Sequence, residues 1–230
     1  MTSAYFERDG RNPQPPVGGS LLYLMMNLPL GIASFTALVT LVLLGLGTVI
    51  VWVGVPVLAL LFLGLRGAAR AERERVHSLL GAYVATPYRP LPESGQKARW
   101  KAQLTDAATY RDFTYFLLLL PLGITEFILL VTSWSVALGL VTLPISVRYV
   151  PGGAYYFPSK DVRWFVVDST LDALPWAALG VLFVAVAVAL TRVLGGLHAR
   201  FARLVLGPGP RARRLAEGPV SEPEFPGMVA

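Results

Sequence analysis

The chain has 230 residues, a formal net charge of +6, 54% hydrophobic residues and only 15% charged residues. A soluble domain of that length needs more polar surface to face water, so an ordinary soluble fold is excluded. The complete lack of cysteine excludes disulfides, thiol catalysis and cysteine-based metal sites.

Residues 1–20 are polar and rich in turn formers (Pro13, Pro15, Pro16, Gly18, Gly19) and read as a disordered tail. No cleavable signal peptide is expected, because the first apolar run is too long for one. No charge occurs from Asn12 through Leu65. The apolar stretch 21–65 exceeds one span, since roughly 20 residues cross about 30 Å of hydrocarbon. Gly45, Gly47 and Thr48 offer the break, which predicts helices at 21–46 and 49–66 joined as a tight hairpin.

Residues 66–112 then hold nine Lys/Arg and five Asp/Glu. The spacing of Val76, Leu79 and Leu80 predicts a helix over 69–80 that extends out of the membrane, with Gly81 as its stop. Pro87, Pro90 and Pro92 mark a linker, and a second short polar helix is expected over 97–112. Its Arg99, Trp100, Lys101, Tyr110 and Arg111 suit either an anionic lipid surface or docking on the 69–81 helix.

A third membrane helix is predicted at 113–140, where Glu126 is the single charge before Arg148. Residues 141–171 form a loop with three basic residues and many aromatics. A fourth membrane helix follows at 172–194, then a basic extension (Arg192, Arg200, Arg203) and a Pro/Gly-rich tail over 208–230. The 66–112 loop and the region from Arg192 onward carry nine and six Lys/Arg, against three in 148–171. The basic side is the cytoplasm, so both termini are expected inside the plasma membrane and 141–171 outside. Basic residues that flank apolar spans in this way give no reason to invoke nucleic acid.

The fold class predicted is an all-α membrane protein of four transmembrane helices, arranged as two repeated helical hairpins with cytoplasmic helical extensions. The repeat is visible directly. LLYLMMNLPLGIASFTALVT over 21–40 matches FTYFLLLLPLGITEFILLVT over 113–132. Tyr23 falls on Tyr115, Pro29 on Pro121, Gly31 on Gly123 and Phe35 on Phe127. A second offset places Arg66 on Arg192, Leu80 on Leu206 and Gly81 on Gly207. Repeat one is 21–81, repeat two is 113–207, and the loop 141–171 is what the second copy has extra.

Few residues offer chemistry. Pro29 and Pro121 interrupt a backbone hydrogen bond in each first helix and could act as hinges, while Gly31 and Gly123 allow close helix approach. Glu126 is expensive in a span unless protonated or paired. It could sense protons or bind a cation, or rest as a neutral group bonded to Thr125, Thr132 or Asn27, since no Lys or Arg lies in the spans as a partner. Tyr155, Tyr156, Phe157 and Trp164 could anchor the loop at the bilayer boundary or form a small contact surface. His77 and His198 read as isolated residues in Arg-rich cytoplasmic segments, so no metal site is expected. No P-loop, Gly-x-Ser-x-Gly, His-Glu-x-x-His or paired intramembrane carboxylates occur, so no catalytic residue and no cofactor is expected.

At Leu28-Pro29-Leu30-Gly31, its repeat Leu120-Pro121-Leu122-Gly123, and Trp100…Asp106…Tyr110-Arg111-Asp112, the chain resembles the sensor domain at the N-terminus of membrane histidine kinases in Streptomyces and other actinobacteria. In that family the last motif reads closer to Asp-Pro-x-Thr-Trp-Arg-Asp; here Ala107 replaces the Pro and Tyr110 the Trp. The resemblance covers about 20–207 and brings no catalytic residues. It implies a two-component sensor module without its own kinase, acting through a histidine kinase or another regulatory membrane protein, or as a homodimer in the lipid bilayer. The competing expectations are a small transporter or channel subunit using Glu126, and an accessory to a membrane-bound enzyme.

Overall fold

Long uncharged runs of Leu, Val, Ala and Phe fold as helix in an apolar solvent, because a helix satisfies its own backbone within one segment. The computed structural model describes residues 15–88, 95, 106–149, 154–158 and 163–209. Four long helices account for most of them: α1 Val17–Gly47, α2 Gly54–Leu80, α3 Ala107–Ser146 and α4 Thr170–Leu206. All four are long and apolar enough to cross a membrane. Their outward faces carry large exposed side chains such as Leu43, Leu60, Ile128, Val181 and Leu182, a surface suited to lipid.

The predicted spans are found with shifted ends. The 49–66 helix and the 69–80 extension are one continuous element, α2, which begins five residues later because 49–51 form a 3-10 turn. Trp52 closes that turn in the left-handed region (φ 63). Gly54 then packs on the backbone of Gly45 and Val49. Leu80 ends α2, and Gly81 caps it at φ 65, as predicted. The 97–112 helix lies largely outside the described residues. Its last residues, 107–112, open α3, whose N-cap Asp106 accepts from the Ala108 N–H at 3.1 Å. At 40 residues α3 is about 60 Å long, twice the roughly 30 Å of hydrocarbon, so it projects well beyond any bilayer.

Residues 141–171 are read from the sequence as one loop. It contains an antiparallel hairpin, β1 Tyr155–Pro158 with β2 Arg163–Val167, in the register Tyr155↔Val167, Tyr156↔Val166 and Phe157↔Phe165. Val167 buries against Leu143, Val147 and Ala173, which ties the hairpin to the ends of α3 and α4. Ser169 caps α4 by accepting from the Asp172 N–H at 3.1 Å.

α1 and α3 cross at their paired glycines. A Cβ on Gly31 would sit 2.9 Å from Leu120 Cα, and one on Gly123 would sit 2.8 Å from the Asn27 carbonyl oxygen. Each glycine thus rests on the backbone that precedes the other, a reciprocal contact of the kind a two-fold axis produces. The second helices follow the same rule. Gly54 meets Val49 N, and Gly180 meets Val141 N, at positions matched by the two sequence offsets. The main core lies toward the charged ends of the helices, around Tyr23, Leu24, Leu65, Val76, Tyr115, Leu119, Ala202 and Leu206.

Gly123→Ala forces α1 and α3 apart, and we expect it to lower stability by about 1–3 kcal/mol. Gly139→Ala, where a new Cβ meets nothing within 4 Å, should be neutral or stabilising. Thermal unfolding of both variants in detergent, followed by circular dichroism, checks the contrast.

Candidate functional site

Charged residues removed from water must be paired, and this bundle pairs them in three tiers. The outermost tier joins α2 to the start of α3. Arg66 reaches Asp106 at 3.2 Å and Thr109 at 3.1 Å. Arg73 donates to Asp112 at 2.9 Å and to the Leu206 carbonyl, an orphan acceptor at the end of α4. Arg111 donates to the neighbouring Leu204 carbonyl. Two cations thus sit at the negative end of the α4 dipole. Tyr88 is held between the guanidinium groups of Arg66 and Arg73, at 4.8 and 4.9 Å from its ring. Its hydroxyl donates to Asp112 at 2.6 Å. Burial, together with that bond to Asp112, pushes the Tyr88 phenol up to about 12.

The middle tier is centred on Glu72 of α2. Its Oε1 accepts from the Tyr23 hydroxyl at 2.6 Å, the Tyr115 hydroxyl at 2.8 Å and Arg75 at 3.0 Å. Arg75 also lies over the Tyr23 ring at 4.3 Å and donates to Asn27 Oδ1 at 2.6 Å.

The innermost tier is the Glu126–His198 pair. His198 Nδ1 lies 2.6 Å from Glu126 Oε1, and Asn27 donates to Glu126 Oε2 at 2.7 Å. The other imidazole nitrogen, Nε2, lies 3.1 Å from the Tyr115 hydroxyl. His198 is 2% exposed and Glu126 7%. Helical side chains tilt toward the N-terminus of their helix, so Glu126 leans back toward the charged end and meets His198 there. Tiers two and three share Tyr115, and together they link α1, α2, α3 and α4 through side chains alone.

This geometry corrects one reading of the sequence and narrows another. His198 is not an isolated residue of a basic tail; it is buried, and it is the ionisable partner that Glu126 lacked. Of the three neutral partners named for Glu126, Asn27 is the one in contact, while Thr125 donates to the Pro121 carbonyl. Gly31 and Gly123 are buried at the helix crossing that frames the network, with Gly123 against Asn27 itself. Pro29 and Pro121 face outward within unbroken helices. The loop aromatics stand apart from the network. Tyr155 packs on the Leu143–Val167 cluster and Tyr156 is half-buried in β1, while Phe157 and Trp164 are strand residues whose side chains lie outside the description. Arg99, Trp100 and Lys101 also fall outside the described residues. Tyr23, Glu72, Arg75, Tyr115 and His198 were not singled out as candidates, although the offsets that pair Tyr23 with Tyr115 also pair Glu72 with His198. No group of three or more His, Asp or Glu able to hold a metal occurs among the described residues.

Four long apolar helices enclosing a polar network define a multi-pass helical membrane protein, with the four ion pairs found among the described residues gathered toward one end of the bundle. The family model described as Putative sensor matches residues 23–206, from the first tyrosine of the network to the last residue of α4, and the chain belongs to this family. No curated protein and no solved structure matches it.

Arg73 is 5% exposed and Asp112 fully buried. Arg73→Gln removes the counter-charge of that carboxylate, leaving it the Tyr88 hydroxyl, and takes the guanidinium from the Leu206 carbonyl, so we expect a loss of about 3–5 kcal/mol. The double replacement Arg73→Met with Asp112→Leu removes both charges and should cost clearly less, measured by denaturant unfolding in micelles.

Proposed function

We propose that this chain is a non-enzymatic signal-transduction module of the cell membrane, which passes a stimulus to a partner that supplies the output. The observation that carries this reading is the network joining all four helices at one end of the bundle. A displacement of any one helix must break or redirect hydrogen bonds on the other three. Membership of the Putative sensor family supports the same reading. Both Glu126 oxygens are engaged by Asn27 and His198, which favours a structural coupling role over a transport pathway. The partner expected is a histidine kinase or another regulatory membrane protein, docked where α2 and α3 carry their charges.

In this proposal the charged end, with both chain termini, faces the cytoplasm, because basic residues concentrate there. The β-hairpin end faces outward. The two hairpins are copies of one ancestral unit, a view supported by the reciprocal glycine contacts and by α2 and α4 ending on matched residues, Leu80 and Leu206.

The cysteine-free chain makes topology directly testable. A cysteine placed at the exposed Tyr83 should react with an impermeant maleimide only after the cells are opened, and one at the exposed Asp168 should react in intact cells. Labelling in the opposite pattern would invert the orientation. For function, crosslinking in the native membrane should capture a kinase or regulator, and Glu126→Gln should change that partner's output. A Glu126-dependent proton or cation flux in proteoliposomes containing this chain alone would overturn the sensor reading in favour of transport.

A further inference from the structure

With Nε2 of His198 bare, the inner tiers are one hydrogen short of satisfying both Glu72 and the imidazole. Tyr115 has one hydroxyl hydrogen and three neighbours that can accept it: Glu72 Oε1 at 2.8 Å, His198 Nε2 at 3.1 Å and, longest, the Tyr23 hydroxyl oxygen at 3.3 Å, whose own hydrogen goes to Glu72 at 2.6 Å; the two shorter contacts compete for it. Which one receives it depends on whether Nε2 carries a proton. The Glu126 Oε1 to His198 Nδ1 contact, at 2.6 Å, holds one proton between those atoms in either case. If Nε2 is bare, it accepts from Tyr115, and Glu72 keeps only Tyr23 and Arg75. If Nε2 is protonated, it donates to the Tyr115 oxygen, and the Tyr115 hydrogen turns to Glu72. All the direct contacts around Glu72 are then made at once.

From this we propose that the Glu126–His198 pair is a proton-binding site and that the Tyr115 hydroxyl relays its occupancy to Glu72 on α2. The inference rests on the sensor reading above and names its stimulus: the proton. The binding step moves one proton from water to Nε2 and rotates one hydroxyl; no covalent bond between heavy atoms changes. The ionisable groups in contact with His198 are Tyr23 from α1 and Tyr115 and Glu126 from α3; Glu72 of α2, paired with Arg75, is joined to it through the Tyr115 hydroxyl. Asn27 faces it as a neutral amide. With Glu72, Glu126 and Arg75 charged, a neutral His198 leaves the cluster with one unbalanced negative charge; the added proton balances it. Histidine is the side chain suited to make that change near neutral pH. The pair gains and loses this proton as a unit, so no single atom need be credited with it.

The matched sequence positions show why the relay has a direction. Tyr23 bonds to Glu72, and at equivalent positions Tyr115 meets His198. One half offers a permanent acceptor, Glu72 with its Arg75. The other offers an imidazole that can switch between donor and acceptor. Only the Tyr115 side of the arrangement can reverse.

The test uses the full chain in nanodiscs, labelled with ¹⁵N-histidine. The sequence has two histidines, and His77→Gln leaves His198 as the sole reporter. As the pH is raised across a titration series the signal should pass from imidazolium to a neutral ring with bare Nε2. The Tyr115 ring-carbon and Glu72 carboxyl signals should move in the same step. Tyr115→Phe should leave the histidine transition present and abolish the coupled Glu72 change. Glu126→Gln should move the histidine transition to lower pH. A histidine signal that stays in one form across the range, or a Glu72 response that persists in Tyr115→Phe, would overturn the proposal. If the coupled titration is seen but no partner's output follows pH, the relay stands and the sensor reading fails.

Discussion

An ion in an apolar bundle has to find its counter-charge inside the protein, and that constraint organises this fold. Each pairing fixes one helix against another. Arg73 with Asp112 joins α2 to α3 and, through the Leu206 carbonyl, to the end of α4. His198 with Glu126 joins α4 to α3. Glu72 draws hydroxyls from α1 and α3 to α2. The lipid-facing parts of the helices have no comparable specificity. Leucine against leucine in a bilayer lacks a hydrophobic driving force, so glycine crossings and polar contacts decide the register. Removing one partner of such a pair is costly because the other cannot be rehydrated.

The glycine crossings and the polar tiers reinforce each other. Gly123 lets α3 lie directly on the Asn27 backbone, and the Asn27 side chain then reaches Glu126. A larger residue at 123 would widen that gap and lengthen the bond. The close approach in the sequence motif Leu-Pro-Leu-Gly and the buried carboxylate three residues later are therefore one construction. The exposed prolines in the same motif contribute no contact to it.

The helices, their approximate spans, the Gly81 stop and the glycine crossings were legible because they follow from local rules: runs without charge, turn residues and repeated spacing. The β-hairpin was not, since two strands of four and five residues in an aromatic loop carry no distinctive period. The site was half legible. Glu126 announced itself as a charge within an apolar run, and Asn27 was named among its neutral partners. His198 was misread because the basic residues around it, Arg192, Arg200 and Arg203, mark an exposed helix end. In the structure those arginines occupy the exposed side of α4 while His198 occupies the opposite, buried side. Burial on one face of a helix is a tertiary property. The offset that pairs Arg66 with Arg192 does carry the clue, because it also pairs His198 with Glu72, on a helix whose inward face is polar.

On the proposed duplication, the two halves share a frame but have diverged at the residues that hold charge. Glu72 answers to His198, and Ser34 answers to Glu126. A symmetric pair of tyrosines would be content with two identical acceptors, and such a cluster would have a single hydrogen-bond pattern. Replacing one acceptor by histidine, and supplying Glu126 to hold its far nitrogen, gives the cluster a second pattern that differs by one proton. The second pattern changes what α2 receives, and α2 is the helix that carries the outer arginines against α3 and α4. A change at the buried pair therefore has a physical route to the charged end of the bundle, through Tyr115 and Glu72, without any large movement of the apolar spans.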